Sequence, residues 1–143
     1  MSMSSWLPWA LLSAVFAALT AIFAKIGLDG IDSDFATLVR TVVIVLTLGA
    51  LVYVTGKWQS PLALPAKSIT FLVLSALATG ASWLCYFRAL KIGDASKVAP
   101  VDKFSLVLVA VFAVVFLHER PSARDWAGIA LVTAGVLVLA LKK

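Results

Sequence analysis

Few residues in this chain are equipped for chemistry, and several of them fall inside apolar sequence. They are Arg40, Asp102 and Lys103, with Pro100 just ahead of the latter two, and an aromatic group of Trp83, Tyr86 and Phe87. An ionisable side chain inside a long apolar segment is costly and normally faces a protein interior or an aqueous cavity. Arg and Lys have long stems that can extend toward a membrane surface. Asp is short, so Asp102 needs a partner, a proton or water where it stands. Arg40 and Asp102 are therefore candidate partners across a cavity, with protonation of Asp102 as a candidate coupling event. The competing reading is an Arg–Asp pair that only locks two helices together.

Trp83, Tyr86 and Phe87 stand at i, i+3 and i+4, which puts them on one face of a helix. Such a face either walls an organic solute or packs inside the protein. Pro100 removes a backbone donor and frees the carbonyl near Ser96, so the helix is either opened beside a solute or merely kinked in its first turns. Metal and thiol chemistry have little to use. Cys85 and His118 are the single residues of their types, and no CxxC or HExxH spacing occurs, so no metal site or cofactor is expected. No nucleophile, base and orienting group stand together at workable spacing, which argues against an enzyme. His118 and Glu119 read as interfacial turn residues.

The elements that must position these residues follow from composition. Of 143 residues, 62% are hydrophobic and 13% charged, whereas about a quarter are charged in a soluble domain. The expected fold class is all-α integral membrane, a bundle of five transmembrane helices in a single domain over residues 1–143. The predicted helices run from Leu7 to Ile26, Asp34 to Val54, Ser68 to Leu90, Ala95 to Leu117 and Arg124 to Leu141. Asp34 is the expected N-cap of the second, and a loop from Thr55 to Lys67 holds Pro61 and Pro65. The residues ahead of the first helix contain no Lys or Arg, and no cleavage site follows it, so it is expected to be a span rather than a signal peptide. The net charge of +5 does not point to nucleic acid, because the basic residues sit singly at the ends of apolar segments.

Five spans place the termini on opposite sides, here A for the N-terminal side and B for the C-terminal side. Side A flanks carry Lys57, Lys67, Arg120 and Arg124, and side B flanks carry Lys25, Arg88, Lys91, Lys97, Lys142 and Lys143, a weak bias toward a cytoplasmic side B. Trp6, Trp9, Trp58 and Trp126 fall at the side A boundary, where an aromatic belt places them. At 1.5 Å per residue, Arg40 lies roughly 9 Å and Asp102 roughly 10 Å in from side B, with Trp83 at a similar level. Lys25, Arg40, Arg88 and Lys103 outnumber the one buried acid in that half, which favours an anionic or zwitterionic solute, with Lys25 and Arg88 as candidate entrance charges.

The string GDASKVAPVDKFSLVLVAVFAVVFLHERPSARDWAGIALVTAGVLVLA, Gly93 to Ala140, resembles the closing part of an EamA domain of the drug/metabolite transporter superfamily. Its most specific marks are VAPVDK, Val98 to Lys103, and the pair Glu119 and Arg120. Lys25, Arg40 and SWLCYFRAL, Ser82 to Leu90, resemble the matching upstream parts, so the likeness covers nearly the whole chain. Most members have two five-helix repeats; this sequence holds one, half of a ten-helix transporter fold. The run GIALVTAGVLVL, Gly128 to Leu139, is also similar to the dimerising helix of small multidrug resistance proteins. Those proteins carry a membrane-embedded Glu in the first helix, which here has no acid. The resemblance also leads us to expect Gly where His118 stands.

The resemblance implies a transporter of small, metabolite-like solutes in a bacterial or archaeal cytoplasmic membrane, an exporter that works as a homodimer. Because a five-helix repeat inverts the next in ten-helix relatives, a single repeat recovers that arrangement by dimerising antiparallel, with a parallel dimer as the alternative. Gly128, Ala134 and Gly135 are the candidate dimer contact, against the alternative of packing within the monomer. A different class of reading is a non-transporting subunit or lipid-carrier scaffold of a larger assembly.

Overall fold

The structure is a computed structural model and describes residues 6–141. Its elements are α1 (Leu7–Gly27), α2 (Ser33–Val54), a 3-10 turn (Pro61–Ala63), α3 (Ala66–Ile92), α4 (Ala95–Asp102), α5 (Ser105–Leu117) and α6 (Ala123–Ala140). With α4 and α5 taken as one interrupted span, five helices are long and apolar enough to cross a membrane. The chain is an all-α integral membrane protein, as its composition requires. Lys142 and Lys143, counted above among the side B charges, lie outside the described residues.

Two details differ from expectation. The N-cap of α2 is Asp32 rather than Asp34: its carboxylate accepts from the backbone N–H groups of Asp34 and Phe35 at 2.9 and 3.1 Å. In a run of three acids the cap goes to the one just ahead of the first helical residue, where its oxygen reaches the free amides. The expected fourth helix is also broken. The amides of Lys103, Phe104, Leu106 and Val107 donate to Pro100, Val101, Lys103 and Phe104, each three residues back instead of four. Pro100 lacks an amide of its own and crowds the preceding turn. The backbone stays helical through it and tightens just beyond, at Lys103 and Phe104.

The chain forms two compact units, one comprising Ile22–Ile92 and the other the chain up to Ala21 together with Gly93 onward. In the first, α2 and α3 pack together. Asp34 meets Arg88 and Arg40 meets Trp83, so the register runs antiparallel with nearly constant paired sums. Leu28, Ser33, Thr37, Phe87 and Leu90 are buried in this unit. The hydroxyl of Thr37 donates to the Ser33 carbonyl at 2.8 Å, which satisfies it inside its own helix. Gly30 supplies the turn between α1 and α2 with φ +69°, a conformation that suits glycine.

In the second unit α6 packs against α4 and, less extensively, α5. Ser122 and Asp125 form a capping box at the start of α6. At the end of α5 the amide of Glu119 reaches the Ala113 carbonyl at 3.1 Å, which requires His118 to adopt a left-handed conformation, φ 55° and ψ 29°. Apolar side chains throughout both units are exposed, among them Phe16, Leu46, Phe71, Phe116, Leu131 and Val138. A surface of that kind belongs against lipid or another protein.

Candidate functional site

Arg40 lies seven residues into α2, roughly 10 Å along its axis. The antiparallel register brings Trp83 and Phe87 of α3 to that level. The guanidinium carbon stands 4.3 Å from the Trp83 ring centroid and 5.2 Å from that of Phe87, so two rings one helical turn apart hold one cation. Phe87 is buried and meets Tyr86 edge-on, with centroids 6.4 Å apart and planes at 65°. Thus Arg40, Trp83, Tyr86 and Phe87 form one cluster, and the aromatic face expected from spacing is the face that meets the arginine. Within Ile22–Ile92 the only acids are Asp29, Asp32 and Asp34, all at the α1–α2 turn and the start of α2. Among the described residues of this unit no carboxylate pairs with Arg40.

The other cations at that end of the unit sit against definite partners. Lys25 Nζ donates to the carbonyl of Leu90 at 2.6 Å, in the last turn of α3 where carbonyls lack helical partners. Lys91 Nζ donates to the carbonyl of Ile31, also at 2.6 Å. Arg88 holds Asp34 with two bonds, Nε to Oδ1 at 2.9 Å and Nη2 to Oδ2 at 2.5 Å. Lys25 and Arg88, the candidate entrance charges, and Lys91, counted among the side B flanks, all join helix ends in the structure. The missed signal was register: once α2 and α3 are antiparallel, the acid at the start of one faces the base near the end of the other.

Pro100, Asp102 and Lys103 belong to the other unit. Asp102 ends α4, and its carboxylate lies 3.6 Å from Lys103 Nζ, both side chains being partly exposed. The acid therefore stands where the span departs from α-helical bonding, with the Lys103 amide diverted to Pro100 from the Ala99 carbonyl it would serve in a regular helix. Such interruptions leave backbone groups able to meet a solute or ion. Gly128, Ala134 and Gly135 are exposed on α6, and a methyl group added at either glycine would meet nothing within 4 Å among the described residues. Gly128 also borders a groove of about 500 Å³ lined by Leu106, Val107, Ile129 and Val132. No group of His, Cys, Asp and Glu suited to a metal ion occurs among the described residues.

Five apolar helices, one of them an interrupted span, define an integral membrane protein. The chain belongs to the EamA-like transporter family, whose model matches residues 4–141. It is a transporter integral to the cytoplasmic membrane, with the lipid bilayer and a small-molecule substrate as partners. Among relatives, a Sinorhizobium protein described as an uncharacterized transporter in the cobO 3′ region is 59% identical over 137 residues, 96% of this chain and 97% of that one. An uncharacterized protein of Methanocaldococcus jannaschii is 28% identical over 92% of this chain and 93% of its own length. A Yersinia pestis protein, the probable 4-amino-4-deoxy-L-arabinose-phosphoundecaprenol flippase subunit ArnE, is 28% identical over 83 residues, 57% of this chain and 73% of that one. No solved structure matches the chain.

Proposed function

We propose that residues 1–143 form one five-helix domain that exports a small, metabolite-like solute and works as an antiparallel homodimer. The solute is anionic or zwitterionic. Its pathway is formed by Arg40, Trp83, Tyr86 and Phe87 with Pro100, Asp102 and Lys103. The observation that carries this reading is the Arg40 cluster: a guanidinium well inside a span, held by rings and with no acid of its own unit beside it. An unneutralised cation at that depth is costly unless a ligand or water uses it. Protonation of Asp102 supplies the coupling. Gly128, Ala134 and Gly135 form the dimer contact, supported by the open space beside both glycines.

The test is transport by the purified protein alone in liposomes, beside the Asp102→Asn variant. Uptake should fall at least tenfold in the variant, with the dimer still folded; unchanged uptake and pH dependence would remove the acid from the mechanism. A reporter fused after the C-terminus, read on both sides of the membrane, should divide between them; a wholly cytoplasmic population with a functional dimer would defeat the antiparallel arrangement.

A second reading, a subunit that serves a lipid-linked solute within a larger assembly, is favoured by the likeness to a flippase subunit. It expects no transport by the chain alone and recovery of transport when a second membrane chain is added.

A further inference from the structure

We infer that the cavity between the α1–α2 turn and the end of α3 binds the headgroup of a zwitterionic membrane lipid, of the phosphatidylethanolamine class. Such a site is separate from the solute pathway proposed above and does not depend on it.

The cavity has a volume of about 490 Å³ and is lined by Lys25, Ile26, Leu28, Asp29, Gly30 and Lys91. α1 ends at Gly27 and α3 at Ile92, so it lies at the side B ends of two spans, the level of lipid headgroups. Ile26 on its wall and Ile92 next to Lys91 are exposed, which leaves apolar surface beside a polar cavity. Acyl chains can begin there. Gly30 turns the chain at φ +69° with no side chain, and a β-carbon built on it would meet nothing within 4 Å, so the turn leaves room for a ligand.

Two ammonium groups and one carboxylate thus border one space. Lys91 is anchored at it, since Nζ donates to the Ile31 carbonyl at 2.6 Å, and an ammonium has two further N–H bonds with which to meet an oxyanion. Lys25 is fixed at the same cavity through the Leu90 carbonyl, also at 2.6 Å. A lipid phosphodiester carries one negative charge, which Lys91 can hold in a charge-assisted hydrogen bond while the charge of Lys25 adds to the attraction. Asp29 is exposed and offers two oxygens to a cation. The ethanolamine ammonium stands a few atoms from its phosphate and carries three N–H donors, so one headgroup answers both signs.

The surrounding charges favour a zwitterion over an anion. Arg88 holds Asp34, Asp32 caps α2, and in the other unit Lys97 pairs with Asp94 at 3.4 Å. With Lys25 and Lys91 set against Asp29 and Asp32, the described charges at the side B helix ends sum to zero. A net-anionic lipid gains little from so balanced a surface, whereas a zwitterion meets each sign locally. The methyl groups of a choline cannot donate to Asp29, and the glycerol of phosphatidylglycerol brings no cation to it.

The experiment titrates the purified full-length protein in detergent micelles with dioleoyl phosphatidylethanolamine, phosphatidylcholine or phosphatidylglycerol and counts bound lipid by native mass spectrometry. Phosphatidylethanolamine should bind about tenfold more tightly than either of the others, the value of one charge-assisted hydrogen bond. Asp29→Asn should bring it down to the level of phosphatidylcholine. Lys91→Gln should weaken all three lipids about tenfold, and Lys91→Arg should retain most of the binding. If Lys91→Gln fails to fold for want of its bond to Ile31, the exposed Asp29 variant still decides the outcome. Glycerophosphoethanolamine, the headgroup without acyl chains, should compete about a hundredfold less well, because nothing then holds it at the membrane surface. Equal binding of the three lipids or a preference for phosphatidylglycerol overturns the inference. So does a preference for phosphatidylethanolamine that persists in Asp29→Asn, or binding undiminished in Lys91→Gln. Competition by glycerophosphoethanolamine as strong as by the lipid would assign the cavity to a soluble solute and overturn the lipid occupant.

Discussion

The two units hold apolar helices together by different means. Lipid is as apolar as leucine, so burial alone gives helices little reason to associate in a membrane, and packing and polar contacts must supply it. In Ile22–Ile92, beside local bonds such as Thr37 to Ser33, four polar contacts are long-range: Lys25 to Leu90, Lys91 to Ile31, Arg88 to Asp34 and Arg40 over Trp83 join segments 43 to 65 residues apart. In the other unit Lys97 pairs with Asp94, Lys103 with Asp102, Ser122 with Asp125 and Thr133 with Ile129, all within four residues. The first pattern specifies one arrangement of helices and keeps a charge in place. The second, among the described residues, shows α5 and α6 meeting by packing, with open space beside Gly128 and Gly135.

The sharpest way to break this contrast is to remove one phenylalanine from each unit. Phe87, within the Arg40 cluster, is 3% exposed, whereas Phe116 on α5 is 71% exposed. Phe87→Ala should cost about 2 kcal/mol or more, at or below the low end of the range for aqueous cores, because the alternative environment is lipid rather than water. Phe116→Ala should leave stability nearly unchanged. Denaturation in mixed micelles measures both; equal losses would mean that the two units are held alike. A smaller effect separates the lysines. Lys25→Met removes a donor to a helix-end carbonyl and should cost about 1 to 2 kcal/mol. Lys97→Met removes an exposed local pair and should cost nothing measurable by the same assay.

The five spans were legible because apolar length is a property of sequence alone, and their ends fell within two residues of expectation. The level shared by Arg40 and Trp83 was also legible, since helix rise converts position into depth. Which partner a charge takes was not. Asp34 was read as a cap because it precedes an apolar run; it turned to Arg88 because Asp32 stands just ahead of the first helical residue and takes the free amides, and because α2 and α3 run antiparallel. The hold of Lys25 on the Leu90 carbonyl was not legible, because depth says nothing about the neighbouring helix end. The break at Lys103 and Phe104 was signalled by Pro100 but not located by it, since the tightened bonds lie on the far side of the proline.

His118 tests the contrast at its mildest point, where the second unit relies on local geometry. Family resemblance leads to glycine at this position, and the structure supplies the reason. The six-to-one bond from Glu119 to Ala113 closes α5 only if the residue between is left-handed, and His118 is the one non-glycine described residue with positive φ. A β-carbon in that conformation costs roughly 1 to 2 kcal/mol, somewhat less for a residue such as histidine that visits it more readily. Glycine relieves that cost while giving the unfolded chain more freedom, which offsets part of the gain. His118→Gly should therefore stabilise the protein by about 0.5 to 1 kcal/mol. His118→Ala keeps the β-carbon and should give no gain, which separates backbone strain from loss of the imidazole. A stabilised alanine variant would show that the ring, not the backbone, is what the position resists.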